Sequence, residues 1–345
     1  MHTSDFFDLP VKEVIRETDS AVSLVFDVPA ALTEAFQYRP GQFLTVRVLI
    51  DGKYRLRCYS LASAPNVDAL HKVTIKRVDR GLVSNELCLN VKAGQVLQVR
   101  PPAGVFGPAQ LDQDFLLLAG GSGITPVLSI LKAALAGGKG RIDLVYANRD
   151  ETSVIFRDEL IELSRKHPDR LNVIHWLETV QGLPTSDRLA SLLRAFAGRD
   201  VFICGPAPFM DSSVVALESI GLSRDRIHLE RFISLPDEEP EPAAVTGKTV
   251  ETTQTATRLI VRLDGKEREI VWSAGQTMLD AMITADINAP FSCRVGGCAV
   301  CMCRIRKGEV TMAANLVLDE RDLSDGWVLA CQSQSQSEEV HCEFP

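Results

Sequence analysis

Between residues 11 and 100 the apolar positions fall in short runs of β-type residues, at 21–26, 43–48, 71–76 and 95–100. Turn signals at Pro40-Gly41, Asp51-Gly52 and Ala93-Gly94 punctuate them. Short strands divided this way predict an antiparallel β-barrel over residues 1–110. From about Asp112 the pattern changes. Residues 115–118 form one apolar run, as expected of a strand buried on both faces of a parallel sheet. Further strands at 141–147, 171–176 and 200–204 alternate with helical segments such as 154–166, so 111–235 reads as an α/β domain with a parallel sheet. Residues 236–257 are rich in proline and acid and poor in apolar positions, which predicts a linker. Beyond it, strands at 259–263 and 269–272 flank Asp264-Gly265, a strong hairpin signal. Thr277 and Asp280 resemble a capping box opening a short helix to Thr284. Two strands, a helix and a cysteine-bearing loop within 258–345 outline a small β-grasp domain, so the fold class is multidomain.

That last domain carries the sharpest chemistry. Cys293, Cys298 and Cys301 stand in a C-x4-C-x2-C pattern, with a distant Cys331, the spacing that holds a plant-type [2Fe–2S] cluster. Gly296 and Gly297 let the loop bend sharply and bring backbone N–H groups near sulfur. A structural zinc site would pair its cysteines as two C-x2-C knuckles, and only one such pair is present. Cys303, two residues after Cys301, is either a competing ligand or a buried neighbour.

Composition narrows the classes. The chain has 345 residues, 46% hydrophobic and 24% charged, enough for two or three ordinary domains. Nine cysteines, an odd number, suit a reducing cytoplasm better than a disulfide framework. The first residues lack a basic stretch followed by an apolar one, so no signal peptide is expected. The most apolar window, 115–135, is interrupted by glycines and Pro126, which argues against membrane insertion. Residues 258–345 hold nine basic and 13 acidic side chains, and no segment is strongly basic, so a nucleic-acid partner is not expected.

Further stretches suit nucleotides. Arg57, Tyr59 and Ser60, with Cys58 between them, offer a phosphate clamp, a ring platform and a hydrogen-bond donor for a flavin, although a strand tyrosine is also ordinary core. Lys76 and a turn at Gly81 precede a short helix, read as capped by Ser84, whose N-terminus would attract pyrophosphate. After the 115–118 strand come Gly120, Gly121, Gly123, Thr125 and Pro126, with Thr125 a good N-cap and Pro126 fit for the first helical position. The loop is not G-x-G-x-x-G. Cys204-Gly205-Pro206 ends another strand, where open sheets bind ligands, and Cys204 reads equally as a buried thiol. Asn148-Arg149-Asp150 stands where a 2′-phosphate reader would; Arg149 suits one, but Asp150 and Glu151 repel a phosphate, which predicts NADH over NADPH.

In this order the modules resemble the ferredoxin–NAD(P)⁺ reductase superfamily with a C-terminal ferredoxin domain. The likeness rests on residues 57–61, 114–126, 146–150, 175–178, 181–184, 204–210, 319–323 and 329–333. Within the superfamily they are most similar to the reductase components of 3-ketosteroid 9α-hydroxylase, and less so to those of phenylacetyl-CoA epoxidation. The resemblance implies that Arg57 clamps the flavin phosphates, Tyr59 packs on the ring, Ser60 lies near flavin N5, and Gly81 and Ser84 hold pyrophosphate. It also implies that Gly120, Gly121, Gly123 and Thr125 receive the NADH phosphates. Cys204, Glu230 and Phe232 would border the nicotinamide, with Phe232 on the face where it enters. FAD (or FMN), NADH and a [2Fe–2S] cluster are the implied cofactors, and a Rieske-type terminal oxygenase the implied partner. A non-catalytic redox sensor would retain the same modules. The chain departs from the family twice, with Val295 for a common Glu and Ala299 for a common Gly. If the backbone there is left-handed, Ala299 costs strain.

Overall fold

In the computed structural model residues 6–196, 198–232 and 256–345 are described, and they form two compact units, one of 7–50 and 58–232, the other built mainly on 256–345. Most of the expected linker lies outside the described residues, though Thr257 already belongs to a strand.

The chain's first sheet has six strands, β1 (Phe7–Thr18), β2 (Ala21–Phe26), β3 (Phe43–Ile50), β4 (Lys53–Ser60), β5 (His71–Lys76) and, after helix α1 (Leu82–Leu89), β6 (Val96–Val99). Their order is β4-β3-β6-β1-β2-β5. A bridge between Leu61 and Val73 draws the two ends of the sheet together, as a barrel requires. Leu9, Leu24, Phe26, Leu44, Val46 and Ile75 fill its interior. Sequence pattern missed β1, because Pro10 and a register shift between Val11 and Glu13 break its alternation.

The α/β part follows as β7 (Phe115–Gly120), α2 (Ile124–Gly137), β8 (Ile142–Asn148), α3 (Arg157–Lys166), β9 (Leu171–Leu177), α4 (Glu178–Gln181), α5 (Ser186–Leu193), β10 (Asp200–Cys204), α6 (Ala207–Ser219) and β11 (Ile227–Glu230). All five strands are parallel, in the order β11-β10-β7-β8-β9. Every residue of β7 is buried, which explains its unbroken apolar run. Helix α3 starts three residues later than its pattern suggests, because Phe156 takes φ +60 just before it.

In the second unit, β12 (Thr257–Leu263) and β13 (Lys266–Trp272) form a hairpin whose turn residues, Asp264 and Gly265, have φ +51 and +71, as a two-residue type I′ turn needs. Helix α7 (Met278–Thr284) is capped by the Thr277 hydroxyl, which accepts the Asp280 N–H at 3.1 Å. Then come β14 (Met302–Lys307), β15 (Val310–Met312), α8 (Glu320–Ser324), β16 (Trp327–Leu329), β17 (Ser333–Ser335) and β18 (Glu339–Glu343). The main sheet runs β13-β12-β18-β14-β16 and is mixed, with β12 and β18 parallel. Trp272, Met278, Leu279 and Met282 pack between helix and sheet. No helix among the described residues is long and apolar enough to cross a membrane.

Candidate nucleotide and cluster sites

The strand order of the parallel sheet turns back between β7 and β10, the place where open sheets bind ligands. There the loops after both strands touch backbone to backbone. A Cβ on Gly123 would stand 2.1 Å from the Cys204 carbonyl oxygen and 2.6 Å from the Gly205 nitrogen, and one on Gly205 would stand 3.0 Å from Gly120 Cα. Gly121 meets a different demand, a left-handed φ of +53. Helix α2 takes Gly123 as N-cap and starts at Ile124, whereas the sequence predicts Thr125 as N-cap and Pro126 as the first helical residue. The Thr125 hydroxyl is turned back to donate to Ser122 O at 3.0 Å, which places Pro126 at the third helical position.

Cys204 and Glu230 lie side by side in the β10–β11 register. Cys204 is wholly buried, and burial, then the Glu230 charge, push its thiol well up, so it is no nucleophile at neutral pH. Glu230 keeps part of its surface exposed, yet burial of its carboxyl pushes its pKa up to about 8. It is therefore protonated at neutral pH and able to donate. Phe232, just past β11, is 45% exposed.

Asn148, at the end of β8, carries no signal in the sequence that marks it as a site residue. Both atoms of its side-chain amide are buried with no hydrogen-bond partner. An unmet buried amide costs about 1–3 kcal/mol, so the site fits a polar ligand that would pair with it. Lys76, from the end of β5, brings its ammonium 3.3 Å from where a Gly121 Cβ would stand. Burial and then Arg149 lower the Lys76 pKa, while Asp150 raises it, so two cations converge near the glycine loop. Asp150 is held by Thr152 and Ser153, whose hydroxyls both donate at 2.7 Å, and these bonds keep its carboxylate below the usual range.

On β4, Arg57, Cys58 and Tyr59 are half-buried and Ser60 buried. Arg57 donates to Leu56 O at 2.8 Å, Cys58 Sγ lies 3.5 Å from Thr45 Oγ1, and Tyr59 packs on the barrel core. The cap of α1 differs from expectation. Gly81 is the N-cap, and Ser84 sits in the first turn, where its hydroxyl accepts the Val78 N–H at 3.1 Å and so closes the preceding loop.

The cysteine loop shows how four thiols from two segments meet. Leu329 pairs with Met302 across β14 and β16, and Ala330 N donates to Cys301 O at 3.0 Å, which delivers Cys331 to the loop. The thiols group two and two, Cys293 beside Cys298 and Cys301 beside Cys331. No three His, Cys, Asp or Glu among the described residues converge on a single ion. Two pairs suit a two-iron core, in which each iron takes two thiolates. Cys298 and the N–H groups of Val295 and Gly297, the latter two 3.5 and 3.4 Å from Cys293 Sγ, hold the Cys293 thiol down to about 6. Gln332, another residue missed in the sequence, donates to Arg294 O at 2.7 Å and reaches within 3.7 Å of Cys331 Sγ. Cys303 points elsewhere. It is fully buried, 3.8 Å from Met278 Sδ, and its thiol is pushed well up by Cys342 and burial. Ala299 takes φ +54, the strained conformation that its replacement of glycine foreshadowed.

Comparison with known proteins places these features. Family models match in chain order, an oxidoreductase FAD-binding domain at residues 8–107, an oxidoreductase NAD-binding domain at 117–214 and a 2Fe-2S iron-sulfur cluster binding domain at 261–336. Similar chains include the ferredoxin reductase component of 3-ketosteroid-9-alpha-monooxygenase from Rhodococcus rhodochrous, 46% identical over 99% of this chain and 98% of that one. The component of the same name from Mycolicibacterium smegmatis is 47% identical with the same two coverages. A component of 1,2-phenylacetyl-CoA epoxidase from Escherichia coli is 34% identical over 98% of both chains. Phthalate dioxygenase reductase shares the fold, with a TM-score of 0.59 and 23% identity over 98% of both chains.

Proposed function

The chain belongs to the ferredoxin–NAD(P)⁺ reductase superfamily, in the branch with a C-terminal [2Fe–2S] domain, and from that premise we propose that it drives a Rieske-type oxygenase that hydroxylates 3-ketosteroids at the 9α position. The observation that carries this reading is end-to-end identity of 46–47% with ferredoxin reductase components of that system, against 34% with the epoxidase component. When bound, FAD takes two electrons as hydride from NADH, and the [2Fe–2S] cluster passes them on singly.

The chain's own residues position these groups. Arg57 and the α1 N-terminus at Gly81 are assigned to the FAD phosphates and Tyr59 to its ring, with Ser60 beside it. Gly120, Gly121 and Gly123, joined by Lys76, take the phosphates of NADH, and the Asn148 amide takes a polar group of the nucleotide. Asp150, anionic and fixed by its turn, disfavours a 2′-phosphate. Cys204 and the protonated Glu230 line the nicotinamide pocket, where Glu230 holds its proton on the carboxyl and donates it in a hydrogen bond. Phe232, being exposed, is free to swing aside as the nicotinamide enters. Cys293, Cys298, Cys301 and Cys331 hold the cluster. An odd count of nine cysteines suits a reducing cytoplasm, where four of them are free to bind the cluster.

Residues 258–345 carry nine basic against 13 acidic side chains, which favours a basic face on the oxygenase. The test combines the purified reductase with such an oxygenase, NADH and a 3-ketosteroid. A 9α-hydroxylated product is expected, with electron transfer slowing as salt rises. Absence of hydroxylation with every matched oxygenase overturns the substrate assignment, and a rate indifferent to salt overturns the charge argument.

A further inference from the structure

Barrel and parallel sheet belong to one compact unit, and buried charge joins them at a place the electron-transfer chemistry does not use. Lys132, on α2 and only 6% exposed, sets its ammonium 2.8 Å from Asp68 and 2.6 Å from Glu159. Asp68 lies in the segment between β4 and β5, where its carboxylate also accepts the Ala64 N–H at 2.6 Å. Glu159, on α3, offers its other oxygen to Lys72 of β5 at 2.8 Å. Cations and anions thus alternate, and each step but one crosses between barrel and nucleotide helices. One turn earlier on α2, the buried Ser129 hydroxyl donates to Ser63 O at 2.6 Å.

Apolar packing also joins the two halves: Ala21 and Ala62 pack among residues of α2 and β7, and Phe106 meets Phe202 of β10 edge to face at 5.4 Å. Towards the far end of α2, the hydrogen-bonded charges tie it to the segment between β4 and β5. A buried ion pair adds little net stability over apolar packing, but it fixes a single register. Burial alone would lower the Lys132 pKa, yet Glu159 and Asp68 turn it upward, so the cation is kept charged. What is held in register matters here. Helix α2 begins at the glycine loop assigned to NADH, about 12 Å from Lys132 at 1.5 Å per residue. The segment carrying Ser63 and Asp68 directly follows Ser60 on the strand assigned to the flavin.

We propose that Lys132, Asp68, Glu159 and Lys72 are positioning residues, an ionic latch centred on the buried Lys132 that fixes the nucleotide loop relative to the flavin strand and thereby sets the distance for hydride transfer. Resting on the assignment of the barrel to FAD and the parallel sheet to NADH, the latch acts through steep geometry: a misplacement of about 1 Å costs on the order of 10²-fold in rate.

The test uses the full holoprotein, with Lys132→Met to remove the ammonium and Lys132→Arg to keep a charge. Anaerobic stopped-flow follows flavin bleaching by saturating NADH, and amide exchange of the same proteins is followed over residues 61–72 and 124–137. Lys132→Met should slow bleaching about tenfold or more, leave half-saturation by NADH within about twofold, and speed exchange over 61–72. Lys132→Arg should recover most of both losses. A Lys132→Met protein that melts earlier but bleaches within about twofold of the parent rate overturns the proposal. If that variant does not fold, Ser129→Ala serves: bleaching slowed about threefold supports the latch, and an unchanged rate overturns it. Failure of NADH to bleach the unaltered protein would instead overturn the assignment of the two halves.

Discussion

Glycine at 123 and glycine at 121 are required for opposite reasons, and alanine at each should separate those reasons. At Gly123 the backbone is ordinary, φ −62 and ψ −10, so Gly123→Ala brings no torsional cost. Its Cβ, however, would lie 2.1 Å from the Cys204 oxygen, 2.3 Å from the Cys204 carbonyl carbon and 2.6 Å from Gly205 N. A carbon and an oxygen settle at about 3.3 Å, so the loops after β7 and β10 must part by roughly 1.2 Å. All three obstructing atoms are backbone, and no rotamer change relieves them. Overpacking costs about 1–3 kcal/mol where side chains can yield, so at least about 3 kcal/mol is expected here. In a unit of this size that lowers the melting temperature by about 6–12 °C. At Gly121 only the flexible Lys76 ammonium is near, at 3.3 Å, and the cost is the left-handed φ of +53, about 1–2 kcal/mol. Scanning calorimetry of the two variants measures the difference, and NADH half-saturation should rise much more for Gly123→Ala. If Gly121→Ala proves the more damaging, or Gly123→Ala melts within about 2 °C of the parent, the close approach of the two loops is wrong.

Ala299→Gly should stabilise the cluster unit by about 0.5 kcal/mol, the relief of a left-handed alanine less the entropy of an added glycine, measured as a higher midpoint of denaturant-driven cluster loss. Cys303→Ser should leave iron and sulfide content unchanged, while Cys331→Ser should lose cluster; elemental analysis decides between them, and the reverse result would reassign the fourth ligand. Glu230 has its pKa raised from 4.5 to about 8, so the folded chain binds the extra proton and its stability should fall as pH rises through that window. Glu230→Gln should flatten this fall, and melting temperatures taken from pH 4.5 to pH 8 test it.

Local rules were enough for much of the architecture. Asp264 and Gly265 take the positive φ that a two-residue hairpin needs, and the buried run in β7 announces a strand covered on both faces. The cysteine spacing pointed to the cluster because a short loop must present three thiols to one small core, a constraint written in adjacent residues. Elsewhere local rules misplaced detail. Ser84 and Thr125 have the chemistry of helix caps, but their hydroxyls are drawn to Val78 N and Ser122 O, and glycines take the cap positions. What tertiary structure alone decided is burial and company. Cys303 turns to Met278 and Cys342 because β14 lies between β16 and β18, a pairing no spacing reveals. Glu230 is neutral only because its carboxyl is buried where β11 lies against β10, and Asn148 is orphaned only because the end of β8 is covered. Lys132 looks in sequence like any helix-surface lysine, and becomes a buried cation through Asp68 and Glu159, 64 and 27 residues away. Periodicity and turn chemistry act over a few residues, whereas desolvation and ion pairing depend on which distant segments the fold brings together.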